Sequence, residues 1–275
     1  MIKKTFLWII VILHASQTRC LIVQISMMKS GTHLLISLIE KMTHKKLAFI
    51  AADAYASITR NEQDVINVTP RDFKCLSSLP KIRFWATHCP YVKSYANTLS
   101  HADYRILYLY RDPRDVVVSL ALFIRDKDKQ VWPGAQQISL NEVITRLITG
   151  GPSMHQTAHH ISAQGIRKVY EAYRPWMSLP NVLIIRFEDL IGPQGGGDGY
   201  AQINTIMAIA KHIDHPLEEY EAAYLGGAIF GCTEIFNKGQ IGSWKEYFTQ
   251  AHKQLFKKHA GQLLIDLGYE QDLKW

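Results

Sequence analysis

Four short runs of apolar, mostly aliphatic or aromatic residues punctuate the chain: Leu21 to Ser26, and residues 82–87, 105–110 and 182–187. Each has the length of a strand, and such near-continuous apolar runs suit strands covered on both faces, as in a parallel sheet. Between them the hydrophobic period lengthens to that of a helix. From about Thr32, for example, Leu34, Leu35, Leu38, Ile39 and Met42 fall on one face. Strands alternating with helices predict an α/β fold, a parallel central sheet flanked by helices in three layers. No internal repeat is apparent. In such a sheet ligands bind beyond the carboxyl ends of the strands. The residues at those ends are Lys29, His88, Arg111 and Glu188. A basic residue or a histidine closes three of the four strands, and all three project to one edge.

The first strand end carries the hexapeptide Met28-Lys29-Ser30-Gly31-Thr32-His33. A strand that turns into a helix through Ser-Gly-Thr aims several free N–H groups and the positive end of the helix dipole at one spot, which suits an anion, usually a phosphate. Lys29 adds a full charge, and Ser30, Thr32 and His33 add side-chain donors. At the third strand end, Tyr110-Arg111-Asp112-Pro113-Arg114-Asp115 reads as a capped helix start. Asp112 is the N-cap, Pro113 the first helical residue, and Asp115 the acid that reaches back in a capping box. Arg111, just ahead of the cap, has the planar fork suited to bidentate phosphate recognition. Ser119, about two turns on, adds a hydroxyl to the same oxygens.

Composition narrows the partners. The 275 residues, 47% hydrophobic and 20% charged, describe an ordinary globular chain of one sizeable domain. The net charge of +7 favours anionic partners, but Lys and Arg are dispersed, in runs no longer than pairs such as Lys45-Lys46 and Lys257-Lys258. That excludes a nucleic-acid footprint and favours a small polyanion in a focused cleft. Cys20, Cys75, Cys89 and Cys232 show neither zinc-ligand nor disulfide spacing, and Cys89 reads as a small buried thiol. His155 and His159 are one turn apart without a third ligand in view, so no metal site is expected. Residues 1–18, a short basic start and an apolar run from Phe6 to Leu13, have the shape of a signal peptide or membrane anchor. They set an exported or membrane-associated chain against a cytoplasmic one, with residues 19–275 forming the domain. Residues 126–151 read as a loop plus a short helix, a lid over the cleft. The glycine-rich stretch 192–199 lacks the GxGxxG order and reads as a flexible connection.

Taken together, Lys29-Ser30-Gly31-Thr32 after a strand, Ala86-Thr87-His88 ending the next, and Tyr110-Arg111-Asp112-Pro113-Arg114-Asp115-Val116-Val117-Val118-Ser119 resemble the sulfotransferases that use 3′-phosphoadenosine 5′-phosphosulfate (PAPS). Phe187-Glu188-Asp189 and Lys238-Gly239-Gln240-Ile241-Gly242-Ser243-Trp244-Lys245-Glu246-Tyr247-Phe248-Thr249 continue the match in the family's order. The resemblance implies a P-loop-like sulfotransferase architecture and a PAPS-dependent transferase that needs no metal and releases PAP. By it, Lys29 to Thr32 hold the 5′-phosphosulfate, with His33 at the next motif position. Arg111 and Ser119 hold the 3′-phosphate, and Asn237, Lys238 and Gly239 close over the nucleotide. His88 is the general base toward an acceptor hydroxyl or amine, and Lys29 stabilises the leaving group. The acceptor is a small molecule, or a glycan or lipid.

The resemblance has departures. Leu34 stands where many cytosolic members carry a Trp against adenine, Phe187 replaces a Tyr, and Asn237 replaces an Arg that contacts the 3′-phosphate. Gln250 and Gln254 stand where the family's dimerisation stretch has Val and Glu, which leaves the oligomeric state open. Two other readings compete. A protein of the same fold that binds PAP or PAPS without turnover accounts for Leu34 and Asn237. A nucleotide kinase would need GxxxxGK[ST] and an acidic metal ligand at a second strand end, where this chain has His88 and Arg111.

Overall fold

The computed structural model describes residues 21–44, 50–51, 59–60, 66–67, 84–126, 132, 134–150, 165–231 and 239–275. Residues 1–18, His155, His159, Asn237 and Lys238 lie outside them. Strand β1 (Leu21–Ser26) leads through the Lys29 loop into helix α1 (Thr32–Thr43). After β2 (Ile50–Ala51) and a two-strand antiparallel pair, β3 (Thr59–Arg60) with β4 (Ile66–Asn67), come β5 (Phe84–Thr87), α2 (Lys93–Leu99) and β6 (Tyr104–Tyr110). Helices α3 (Pro113–Asp126), α4 (Leu140–Thr149) and α5 (Ile166–Tyr173) precede β7 (Val182–Arg186). The chain then runs through α6 (Phe187–Leu190), α7 (Gly199–His212), α8 (Glu219–Ala228), α9 (Trp244–Tyr247) and α10 (Gln250–Asp266).

The five strands β2-β5-β1-β6-β7 form one parallel sheet. All four strands expected from the hydrophobic runs are in it. The fifth, β2, is a two-residue edge strand, too short to leave a periodic signal. β1 shows why its apolar run has no polar alternation. Val23 and Ile25 face one core, built with Ile106, Tyr108 and helices α3, α4, α5 and α10. Ile22 faces the other, built with Phe84, Leu107 and Leu109 and helices α1, α7 and α8. All three β1 residues are 0% exposed, so the sheet is the middle of three layers. On α1, Leu35, Leu38 and Ile39 are likewise fully buried, each contributing about 1.5–3 kcal/mol. That burial fixes the helix against the sheet and so aims its N-terminus. Among the described residues no helix is long and apolar enough to cross a membrane.

Three expectations need correction. Phe187 does not end the fourth strand; β7 stops at Arg186 and Phe187 opens α6. Helix α4 is part of the core rather than a lid, since Val143, Ile144, Leu147 and Ile148 are buried with Trp132 in the α3/α10 layer. The i, i+1, i+4, i+5 spacing of those four residues makes one apolar stripe, which accounts for the burial. The stretch 192–199 is a tight turn, not a flexible connection: Gly195 and Gly197 N–H both bond to the Gly192 carbonyl, at 3.0 and 2.8 Å. A Cβ on Gly195 would lie 2.6 Å from the Gly239 carbonyl oxygen, so glycine there lets two backbones meet.

Candidate functional site

Because β5, β1 and β6 are adjacent and parallel, their carboxyl ends deliver His88, Lys29 and Arg111 to one place. All three line a cavity of about 220 Å³. Thr32, His33, Phe187, Ser119 and Gly239, also singled out from the sequence, line it too. Ser30 does not: it is fully buried, and its hydroxyl lies beneath the loop without a hydrogen-bond partner. Thr32 is tied down through a 2.8 Å contact with the Ser26 hydroxyl, while its carbonyl accepts from Gln24 at 2.9 Å.

The loop is shaped by its backbone. Lys29 has φ 66 and Gly31 φ 102, both left-handed. At Gly31 a Cβ would lie 2.5 Å from Cδ2 of Phe187, so the residue must be glycine for steric as well as torsional reasons. No side chain caps α1, and the Leu34 and Leu35 N–H groups return to the Gly31 carbonyl. The earlier N–H groups of a helix have no partner within it and remain available to an anion.

His88 is oriented by its far nitrogen. Nδ1 lies 2.7 Å from the Ser26 carbonyl oxygen, which can only accept, so Nδ1 carries the proton. In the neutral ring the lone pair is therefore on Nε2. The His88 carbonyl accepts from the Tyr173 hydroxyl, and the next carbonyl, of Cys89, from Trp176 Nε1 at 3.2 Å. These anchor the strand end, and Cys89 is a buried thiol as expected.

Arg111 is packed on the Phe187 ring, its Cζ 4.2 Å from the ring centroid. Its Nη2 donates to the Gln240 carbonyl at 2.8 Å and meets Asp115 at 3.5 Å, while its Nη1 is 3.4 Å from the Lys29 carbonyl. Its Nε is buried without a partner. The residue is only 7% exposed, so an unpaired donor here is costly. The adjacent residue is held from the short helix that follows the neighbouring strand: Glu188 Oε1 accepts from the Asp112 N–H at 2.9 Å. This is the reach-back expected of Asp115. Asp112 does cap α3, accepting from the Arg114 N–H at 2.8 Å, but the second half of the box comes from Glu188, 76 residues away. Burial raises the Glu188 carboxyl above its usual range, against the hydrogen bonds it accepts from the Asp112 N–H and Tyr269 hydroxyl.

Sequence reasoning passed over several wall residues. Val118, Leu122 and Phe123 line the cavity with Asp115 and Ser119. The spacing 115, 118, 119, 122, 123 is one helical stripe, a signal that Ser119 alone could have led to. The Lys29 ammonium sits 4.3 Å over the Phe123 ring. Burial, with the Arg111 charge adding to it, lowers the Lys29 ammonium from 10.5 to about 8. Burial and the Lys29 charge also lower His33. Any function that needs the Lys29 cation is thus present below about pH 8 and lost as pH rises through it. We expect anion binding to the free protein to weaken across that range, and Lys29→Arg to remove the alkaline loss, both read by titration calorimetry from pH 7 to pH 10. An equal alkaline loss in Lys29→Arg would assign the effect to another group.

A pocket of donors, the Arg111 cation, a Lys29 cation present below about pH 8 and an oriented histidine can hold a doubly anionic ligand and take a proton beside it. A profile of the sulfotransferase domain matches residues 19–194. The chain belongs to the sulfotransferase family. It is 26% identical over 218 residues to a flavonol sulfotransferase-like protein of Flaveria bidentis, covering 70% of this chain and 63% of that one. It is 24% identical over 204 residues to sulfotransferase 6B1 of Danio rerio, covering 68% and 61%. This sulfotransferase-family chain therefore aligns with less than two thirds of either relative. Mouse sulfotransferase SULT7A1 complexed with PAP superposes with a TM-score of 0.63 at 17% identity, covering 92% of this chain and 88% of the other. Retinol dehydratase in complex with androsterone and the inactive cofactor PAP gives 0.59 at 17% identity, covering 92% and 83%. Both agree with the three-layer parallel sheet read from the sequence.

Proposed function

We propose that this chain transfers a sulfuryl group from PAPS to the hydroxyl or amine of a small acceptor molecule. The observation that carries the reading is the meeting of Lys29, His88 and Arg111 on one cavity at the carboxyl edge of the sheet. The buried, partnerless Arg111 Nε and the uncapped start of α1 fit the two anionic ends of such a donor. In the reaction the acceptor oxygen or nitrogen forms a bond to sulfur as the bond from sulfur to the 5′-phosphate oxygen breaks. His88 Nε2 takes the acceptor's proton, and the electron pair departs on the phosphate oxygen. The Lys29 cation stabilises the charge that develops there. The backbone N–H groups of the loop hold the 5′ end, and Arg111 with Ser119 holds the 3′-phosphate. Neither the proton transfer nor the charge stabilisation calls on a metal.

Radiolabelled PAPS supplied with a panel of hydroxyl and amine acceptors tests the reading. Label transferred by the wild-type chain supports it; nucleotide binding without transfer would reduce the protein to a binding module of the same fold. Replacing Arg111 by Ala is expected to weaken PAP by about 10- to 100-fold, the worth of a charged hydrogen bond to phosphate, while 5′-ADP is weakened far less. Equal losses for the two nucleotides in calorimetry would remove Arg111 from the 3′ site.

A further inference from the structure

Asp115 is the one carboxylate among the described residues lining the cavity, an odd group for an anion site. Its side chain is 0% exposed. Both oxygens are engaged by backbone far along the chain: Oδ2 accepts from the Gly242 N–H at 2.8 Å and Oδ1 from the Trp244 N–H at 2.9 Å. Oδ2 also meets Arg111 Nη2 at 3.5 Å, and that same Nη2 donates to the Gln240 carbonyl. The segment 239–244 is thus held at three points, by Arg111 at residue 240 and by Asp115 at residues 242 and 244. The other side of the segment rests on the 192–197 turn, where the Ile241 N–H donates to the Gly195 carbonyl at 3.0 Å and the Gln240 side chain to the Gln194 carbonyl at 2.9 Å. Gly239, at the start of the segment, forms part of the cavity wall.

We propose that Asp115 is a positioning residue that locks Arg111 and the 239–244 segment into one unit, so that recognition of a 3′-phosphate and coverage of the nucleotide by that segment are a single event. The inference rests on the nucleotide reading above and deepens it. Asp115 touches no reacting atom. It aims the Arg111 fork through the ion pair and fixes where Gly239 and Gln240 stand through two backbone bonds. Both oxygens remain available only to the ionised carboxylate, because protonation turns one of them into a donor. Phosphate reaches Arg111 at its unpartnered Nε, while Nη2 stays with the Gln240 carbonyl and Asp115, and the Asp115 hinge keeps the segment at the cavity.

Asp115→Asn and Asp115→Ala test it. Asn keeps one acceptor oxygen, and so can satisfy only one of the Gly242 and Trp244 N–H groups. In each variant the ratio of PAP to 5′-ADP affinity is measured by calorimetry, and backbone hydrogen exchange is followed at Gly242 and Trp244 without nucleotide. Wild type is expected to prefer PAP. Asp115→Asn is expected to lose about tenfold of that preference and to speed exchange at one or both amides by a similar factor, with Asp115→Ala losing more. Should Asp115→Ala fail to fold, the Asn variant carries the test. A variant that melts lower but keeps the wild-type preference would overturn the inference and leave Asp115 a structural residue. A wild-type chain that binds PAP no better than 5′-ADP would instead remove the nucleotide reading, and the inference with it; unchanged exchange at both amides would refute the hinge whatever the nucleotide result.

Discussion

Asn in place of His88 is expected to lower sulfuryl transfer by about 100- to 10,000-fold, the usual contribution of a positioned general base. Asn retains a side-chain N–H for the Ser26 carbonyl, now held at 2.7 Å by Nδ1, so the strand end keeps its anchor. The anchoring bonds from Tyr173 and Trp176 go to backbone carbonyls and are untouched. Nucleotide affinity and melting temperature should therefore stay close to wild type while turnover collapses. Single-turnover transfer of label from PAPS, with binding measured beside it, reads the two separately. Wild-type turnover in the Asn variant would dismiss His88 as the base.

Gly31→Ala is expected to damage both fold and binding. At φ 102 any side chain is strained, by about 1–2 kcal/mol, and the new methyl would press on Phe187 at 2.5 Å, adding about 1–3 kcal/mol of overpacking. Phe187 is 3% exposed and carries the Arg111 guanidinium, so the ring cannot yield without moving the arginine. We expect a loss of about 2–5 kcal/mol in urea unfolding together with a loss of PAP binding. The double variant Gly31→Ala, Phe187→Leu separates the two causes: a smaller ring should restore part of the stability by relieving the clash, but not the binding. No recovery of stability would mean that the torsional strain, not the ring, sets the cost.

Much of this site is legible from the chain alone, because parallel strands announce themselves as apolar runs and the residues after each run must gather at one edge. Lys29, His88 and Arg111 follow from that rule without any contact being known. What the sequence conceals is partnership across long separations. Asp115 has the local signature of a capping acid, yet its bonds go to Gly242 and Trp244, 127 and 129 residues away. The capping acid in fact used, Glu188, stands in another strand's exit. Local pattern finds the position of an acid on a helix and is silent about which backbone a closed fold brings to it. Phe187 shows the same limit. Beside the tyrosine usual in the resemblance it looks like a lost hydroxyl, whereas in the fold it is the platform for Arg111 and the reason that position 31 is glycine. The helix 140–149 differs from these, since its buried stripe is visible in the sequence and outweighs the glycines on either side.

The supports of the Arg111 fork extend to residues 269–275. Tyr269 donates to Glu188 at 2.8 Å, Glu270 pairs with Arg114, and the Arg114 guanidinium lies 4.6 Å from the Trp275 ring centroid and 4.2 Å from that of Trp244. Arg114 and Glu188 are the very residues that brace Asp112 next to Arg111. A substitution that dislodged residues 269–275 would thus slacken the Arg111 fork from behind while touching nothing in the cavity.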